Sequence, residues 1–175
     1  MCESMEKRLQ NFWYYYKVPV IIALAVLAAC IYFFLIQRRS VEYDYHAAIV
    51  SPQARSEEQL MRLQKVLEGA GQDQNGDGAV AVSIRVFRFA IGEDGQNTME
   101  AAALDADLVG KQSGIFFTDT PEQFEASTNG ICRASDAIPV SEIPLLSGCS
   151  IDDLFLLIRT DADQRYIEMH SVFTE

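Results

Sequence analysis

Histidine, cysteine and basic side chains are scarce in this chain of 175 residues, which has two His and four Cys. It contains no P-loop, GxGxxG, GxSxG or HExxH pattern, and so no local signature of nucleotide binding, serine hydrolysis or zinc-dependent proteolysis. Lys and Arg number 14 against 25 Asp and Glu, which gives a net charge of −11. Residues 41–175 carry nine of the basic and twenty-three of the acidic side chains, a net −14. Because phosphate backbones repel such a surface, nucleic-acid binding is not expected.

Charge is wholly missing from one long stretch, Val18–Ile36, whose nineteen residues include no strongly polar side chain. As a helix it is about 28 Å long, which matches the hydrocarbon thickness of a bilayer. Pro19 is expected in the first helical turn, where a missing N–H is tolerated. Aromatic residues at 12–16 precede the stretch, and Arg38 and Arg39 follow it. Aromatic and basic residues are typical of the two membrane interfaces that flank a transmembrane helix. The sequence therefore predicts a single transmembrane helix that has the lipid bilayer as its partner.

The basic residues on the two sides of this stretch predict its orientation. Three precede it and two follow it. Because the more basic flank tends to stay in the cytoplasm, the stretch is typical of an uncleaved signal-anchor with the C-terminal part outside. The predicted parts are a cytoplasmic segment (residues 1–17), a transmembrane helix (18–36), a linker (37–43) and an extracytoplasmic domain (44–175). We therefore expect a single-pass protein of the cell membrane.

A second interpretation of the same stretch is a bacterial lipoprotein signal. Leu27, two alanines and Cys30 have the order of a lipobox, in which the cysteine becomes lipidated. Residues 31–36 stay apolar, however, whereas lipoproteins usually become polar after that cysteine. We prefer the intact anchor and keep lipidation of Cys30 as the alternative. Both interpretations place the C-terminal domain on the same side of the membrane.

After the anchor, short apolar runs alternate with helical patterns. Ser56 and Gln59 have the spacing of a helix capping box, and Val80–Phe89 alternates like a strand. Strands are predicted at residues 46–50, 80–89, 114–118 and 154–158, and helices after residues 56, 97 and 120. Residues 165–174 are expected to form a closing helix, with a strand as the alternative. Residues 127–146 have little periodicity and are expected to be rich in loops. This alternation predicts an α/β fold, a small three-layer αβα domain with a mostly parallel sheet.

Two neighbouring segments carry a resemblance to a known family. Asp105–Gly110, followed by Gly114–Asp119, resembles a passage of the solute-binding proteins of ABC importers, where a helix ending near a glycine leads into a strand. Residues 44–160 as a whole are similar to one lobe of that fold, as in uncharacterised bacterial single-pass membrane proteins. The resemblance implies an α/β lobe that binds a solute or another protein. Complete binding proteins clamp their ligand between two lobes, and this chain has the length for one.

One acidic loop matches the first half of a calcium-binding loop. Asp73, Asn75 and Asp77 stand at its positions 1, 3 and 5, and a glycine stands at position 6. The bidentate glutamate expected at position 12 is missing, because Ile84 stands there. A turn rich in Asx and glycine is the alternative. Calcium is the one cofactor that the sequence suggests, with those three residues as its candidate ligands.

Cys132 and Cys149 are the two cysteines of the predicted domain. Their spacing suits neither a CxxC redox motif nor a zinc site. In an oxidising compartment a disulfide between them would close a loop-rich segment, and the chain-entropy model gives it about 3 kcal/mol. Two buried or free thiols are the alternative.

These patterns favour a membrane-anchored binding or protein-interaction module outside the cytoplasm over an enzyme. The expected partner is another membrane or envelope protein, and the resemblance suggests a transporter component. The alternative is a surface-tethered hydrolase or other small-molecule enzyme without a recognisable motif, which needs a pocket with convergent titratable groups. Such a pocket is sought around four residues, Asp119, Asp136, His46 and Asp152.

Overall fold

The computed structural model describes residues 3–37, 42–90 and 99–174. The chain divides into two compact units, residues 1–41 and residues 42–175. The first unit is a helix, and the second is an α/β domain.

The helix of the first unit is α1 (Glu3–Gln37). Because α1 begins at Glu3, Pro19 lies inside it and not in its first turn. Its side chains from Val18 to Phe33 are mostly exposed. Among the described residues, no helix is both long enough and apolar enough to cross a membrane. The transmembrane role of residues 18–36 stays a prediction.

Some predicted features lie outside the described residues. They are the side chains of Lys7, Arg8, Phe12, Trp13, Tyr15 and Lys17, the pair Arg38 and Arg39, and the start of the helix predicted after residue 97.

The domain alternates strands and helices in the predicted order, with one further strand. Its elements are β1 (Tyr45–Val50), α2 (Glu57–Ala70), β2 (Val82–Phe87), α3 (Met99–Val109), β3 (Ile115–Thr118), α4 (Pro121–Ser127), β4 (Ile138–Pro139), β5 (Phe155–Ile158) and α5 (Gln164–Thr174). Three short 3-10 turns lie at residues 134–136, 140–142 and 144–146. The closing segment is a helix, as predicted, and the loop-rich segment 127–146 contains the unpredicted β4.

Local chemistry explains where two of the helices begin. At α2 the Ser56 hydroxyl accepts the Gln59 amide at 3.2 Å, and the Gln59 side chain accepts the Ser56 amide at 2.9 Å. This reciprocal pair satisfies two amides that a helix start leaves open, and it confirms the predicted capping box. At α4, Pro121 occupies the first helical position, where no N–H is needed.

The five strands form one mixed sheet in the order β2-β1-β3-β5-β4. β1 lies parallel to β2 and to β3, with Val50 opposite Phe87 on one side and Thr118 on the other. β5 is antiparallel to β3 and to β4, and Phe155 pairs with Thr118. The α/β class is confirmed. The prediction of a mostly parallel sheet holds only for β1, β2 and β3.

Helices cover both faces of the sheet, because alternate residues of each strand join different cores. One core contains Ala47 and Ile49 of β1, with side chains from α2 and α5. The other contains Ala48 and Val50, with side chains from α3 and α4. The domain thus has three layers, and the sheet is their centre.

The two domain cysteines lie in different cores. Cys132 belongs to the core under α3 and α4, whereas Cys149 belongs to the core under α2 and α5. Both thiols are buried and free. Burial raises the pKa of the Cys132 thiol to about 12 and also raises that of Cys149. The structure therefore has the two buried thiols in place of the disulfide, because the sheet separates them.

Helix α5 closes the end of the sheet at which β1 begins. The His46 amide donates to the Tyr166 hydroxyl at 3.1 Å, and Arg165 Nη1 donates to the Asp44 carbonyl at 2.8 Å. Gly114 lies so close to the Tyr166 ring that a Cβ there would stand 2.5 Å from it. We call this end, where β1, β2 and β3 start, the amino end, and the opposite one the carboxyl end.

Candidate functional site

The carboxyl ends of β1 and β3 form the point at which the strand order of the sheet reverses. From β1 the chain crosses through α2 to β2 on one side, and from β2 it crosses through α3 to β3 on the other side. Connections that leave in opposite directions open a crevice between the two strand ends. In open α/β sheets, ligands bind in this crevice.

Two polar residues meet at this point, one after each strand. Ser51 follows β1 and Asp119 follows β3, and the Ser51 hydroxyl donates to Asp119 Oδ2 at 3.3 Å. The Thr120 hydroxyl donates to Asp119 Oδ1 at 3.4 Å. Ser51 is buried, and its oxygen accepts the Gln53 amide at 3.2 Å. Two long hydrogen bonds from hydroxyl groups therefore orient the half-buried carboxylate of Asp119. Its oxygens can accept further hydrogen bonds from a ligand.

A cavity of about 350 Å³ opens beside this carboxylate. Its wall consists of the start of α4, the turn at residues 134–137 and one side chain of β5; the lining residues are Asp119, Thr120, Pro121, Glu122, Gln123, Ala134, Ala137 and Phe155. The Ala134 amide donates to the Glu125 carboxylate at 2.9 Å, which holds the turn against α4. The volume suits a small molecule. Because its described lining residues include two carboxylates and no basic group, the cavity favours a polar, cationic ligand.

An ion pair braces the same end of the sheet. Arg55, in the loop after β1, donates through Nη1 and Nη2 to the two carboxylate oxygens of Asp153 at 2.8 and 2.5 Å. The Arg55 side chain is 5% exposed, against 40% for Asp153. The hydrogen bonds from Arg55 lower the pKa of the Asp153 carboxyl. The pair joins the β1 loop to the loop before β5 and so fixes the surroundings of the crevice.

A second cavity, of about 340 Å³, lies at the start of α2. Its polar side chains already have partners, since Gln59 donates to the Ser150 carbonyl at 2.6 Å and Arg62 to that of Gly148 at 3.1 Å. Arg62 also pairs with Glu58 at 2.6 Å. These contacts fasten the loop before β5 to α2, which is a structural role.

The candidate calcium ligands lie far from this crevice, in the loop between α2 and β2. Asp73 accepts the amides of Gly76 and Gly78 at 2.7 and 2.8 Å, Asn75 accepts the Asp77 amide at 2.8 Å, and Asp77 accepts the Ala79 amide at 2.9 Å.

These are the bonds of an Asx-rich turn. In the parts of the chain that the structure describes, no group of three or more acidic, histidine or cysteine side chains could hold a metal ion. Calcium binding by this loop stays a prediction.

The four residues named for an enzyme site are spread over the domain. Asp119 lines the cavity at the crevice, and Asp136 is exposed in the turn that forms its wall. Asp152 is exposed in the turn before β5, whereas His46 lies near the start of β1. The pKa of His46 is lowered, mainly because the side chain is partly buried and to a smaller extent because of the charges of Arg85 and Arg165. Only Asp119 and the Asp136 turn come together.

The sequence patterns single out neither Ser51 nor Arg55. Ser51 directly follows an apolar strand, as Asp119 does, and the rule for strand ends marks both once the strand order is known. Comparison of the chain with protein-family models, with curated proteins and with solved structures gives no match.

Proposed function

We propose that the chain is a membrane-tethered binding module in which residues 18–36 form the tether and residues 44–175 act outside the cytoplasm. The observation that carries the proposal is the division into an unbroken 35-residue helix and a separate α/β unit. A helix with so many exposed apolar side chains is costly in water, at about 25 cal/mol per Å² of apolar surface. Lipid removes that cost, and the basic flanks support the orientation.

The crevice at the carboxyl end supports the binding half of the proposal. Asp119 and Glu122 face a cavity of ligand size at the place where α/β sheets bind small molecules. Their charge favours a small cationic ligand such as an amine. The resemblance to one lobe of solute-binding proteins also supports binding, and it suggests a transporter component or another envelope protein as partner.

The enzyme alternative is supported less well. A serine nucleophile at Ser51 requires a base within hydrogen-bond reach. His46 lies five positions earlier on the same strand, about 17 Å away at the rise of a strand. The carboxylate of Asp119 is then the group beside Ser51 that remains for proton transfer. We therefore place binding first.

Membrane fractionation of the full chain tests the tether. Replacing Ile22 and Leu27 together by Arg introduces two charges that each cost about 2.5–3.5 kcal/mol at the centre of a membrane helix. The native chain should stay in the pellet after an alkaline wash, whereas the double variant should move to the supernatant. Met61→Arg, on the exposed side of α2, is the matched control and should behave like the native chain. A native chain that washes off overturns the tether.

Protease added to intact cells tests the orientation. Residues 44–175 should be digested without lysis, and the fragment that remains should contain α1. Protection of the domain until the cells are opened would place it in the cytoplasm.

Thermal unfolding of the full chain with putrescine, a diamine, tests the ligand class. A ligand that binds only the folded state raises the melting temperature. Asp119→Asn should remove most of this increase, whereas Asp105→Asn, a change of an exposed acid on α3, should keep it. Equal stabilisation of both variants would indicate a general effect of cations and would contradict a site at the crevice. The tether is tested separately and does not depend on this result.

A further inference from the structure

The two lateral edges of the sheet differ in what they offer a further strand. β4 has two residues, and one of them is Pro139, which has no N–H to donate. β2 has six residues and no proline. Short strands and prolines block edge pairing, and β2 has neither protection. Among the described strands, β2 is therefore the edge that is open to pairing.

The hydrogen bonds to β1 show which groups of β2 point outward. The Ala81 carbonyl accepts from Asp44 at 2.9 Å, and the Phe87 carbonyl accepts from Ser51 at 3.1 Å. Odd-numbered residues of β2 thus bond to β1, and the even-numbered Val82, Ile84 and Val86 direct N–H and C=O away from the sheet. Within residues 42–90 and 99–174, no side chain or loop bonds to these outward groups.

We propose that the β2 edge binds the β2 strand of a second copy of this chain. The two strands run antiparallel about a twofold axis at Ile84, so that the two sheets become one. In this register Ile84 faces the partner's Ile84, and Val82 faces the partner's Val86. Each even-numbered residue can exchange N–H and C=O bonds with its counterpart, which gives six bonds across the axis. A twofold contact requires a self-complementary surface, and β2 provides one.

The odd-numbered residues fit the same register. Ser83 faces the partner's Arg85, so that a hydroxyl meets each guanidinium and the two arginines avoid each other. Arg85 is already partly neutralised, because its Nη1 lies 2.9 Å from Oδ2 of Asp107 and also bonds to Gln112. The Arg85 side chain is 40% exposed, which leaves donors for the partner.

Residues 79–90 carry none of the acidic side chains by which two copies repel each other elsewhere. Residues 41–175 carry a net −14, so most surfaces of two copies repel each other. Residues 79–90, which contain β2, include two arginines and no acidic side chain. An extended segment of another protein could also use the free N–H and C=O groups. The symmetric match of Val82, Ile84 and Val86, with serine opposite arginine, favours a second copy over that occupant.

Site-specific crosslinking of the full chain in detergent micelles tests the register. The background replaces Cys2 by Ser and Cys30 by Ala and keeps the two buried cysteines. Ile84→Cys should form a disulfide-linked dimer on mild oxidation, because directly opposite residues have Cα atoms about 5.5 Å apart. Val82→Cys alone should not crosslink, since the two copies of residue 82 lie about 14 Å apart along the strands. Chains with Val82→Cys mixed with chains with Val86→Cys should crosslink.

Charge changes at Ser83 give a second measurement that needs no added cysteine. Ser83→Glu faces the partner's Arg85 and should strengthen dimerisation, whereas Ser83→Arg should weaken it, each by roughly two- to fivefold per contact. Analytical ultracentrifugation of the full chain in micelles measures both. A native chain that stays monomeric overturns the proposal, as does Val82→Cys alone crosslinking as well as Ile84→Cys. The tether plays no part in these outcomes, because the micelle solubilises the chain in either case.

Discussion

The carboxylates at the two ends of the sheet have opposite surroundings. At the amino end Asp44 accepts the amides of Gln74, Asn75 and Ala81 at 2.9, 3.1 and 2.8 Å, and its side chain is buried. At the carboxyl end Asp119 accepts two hydroxyl bonds longer than 3.2 Å and faces a cavity. The first carboxylate holds the fold together, whereas the second has capacity left for a ligand. The acidic net charge alone does not distinguish the two.

The largest expected difference between the two ends is in stability. Asp44→Ala leaves three amides without their acceptor, at about 1–3 kcal/mol for each unsatisfied group. We expect a loss of at least about 3 kcal/mol in the free energy of unfolding, measured by urea denaturation. Asp119→Ala should cost only about 1 kcal/mol, because Thr120 lines the cavity and its hydroxyl can turn to water, whereas the buried Ser51 loses the acceptor of one long bond. Similar losses of stability at both positions would contradict the structural role assigned to Asp44 alone.

Packing should differ in the same direction. Gly114→Ala, at the amino end, places a methyl group against the Tyr166 ring, and overpacking of this kind costs about 1–3 kcal/mol. Gly148→Ala, in the loop at the carboxyl end, meets no atom within 4 Å and should change stability by less than about 0.5 kcal/mol. Thermal unfolding of the two variants beside the native chain measures both. A larger effect at Gly148 would contradict the tighter packing at the amino end.

The ion pair of Arg55 with Asp153 should stabilise the carboxyl end, although it lies beside the crevice. Asp153→Asn leaves the buried Arg55 with a neutral partner and should cost about 1–2 kcal/mol, less than a fully buried pair because Asp153 is 40% exposed. Urea denaturation measures the loss. Asp152→Asn, a change of its exposed neighbour, is the matched control and should have little effect. An equal cost for the two variants would show that the pair does not brace this end.

The smallest expected effect is the response to acid. Burial raises the pKa of Asp44, but the bonds from Ala81, Gln74 and Asn75 outweigh it, so the pKa lies below its usual value. A carboxyl with a lowered pKa contributes stability that is complete above the unfolded value of about 3.9 and is lost as pH falls through the folded value. Asp44→Asn should therefore flatten the decline in stability below about pH 4, by at most about 1.4 kcal/mol per pH unit. An unchanged slope would mean that Asp44 does not contribute to the pH dependence of the free energy of unfolding.

The parts of the fold that the sequence predicts are those decided locally. The capping box at Ser56 and Gln59 and the alternation around β2 involve residues a few positions apart, and both are present. The direction of β5 was missed, because Phe155–Ile158 is an apolar run that fits either orientation. Its antiparallel pairing depends on β3, some forty residues away. β4 was missed because two residues give no periodic signal.

The candidate site was predictable only in part for the same reason. Asp119 was named among four titratable residues, but its partner Ser51 is 68 positions away. They meet because β1 and β3 are adjacent and in register, which no local spacing encodes. The sequence left a disulfide and two buried thiols open as alternatives, because the distance along the chain does not reveal that Cys132 and Cys149 lie in different cores.

The contact of α5 with the start of β1 has a consequence for how the chain is made. The His46 amide and the Tyr166 hydroxyl lie 120 positions apart, and Asp44 and Arg165 lie 121 apart. At a translation rate of about 5–20 residues per second, the first strand is synthesised about 6–24 s before the helix that closes its end. During that interval an apolar strand is without its final neighbours and is open to wrong pairing. A pause in translation between the two segments should therefore increase the misfolded fraction, although it changes no contact in the finished protein.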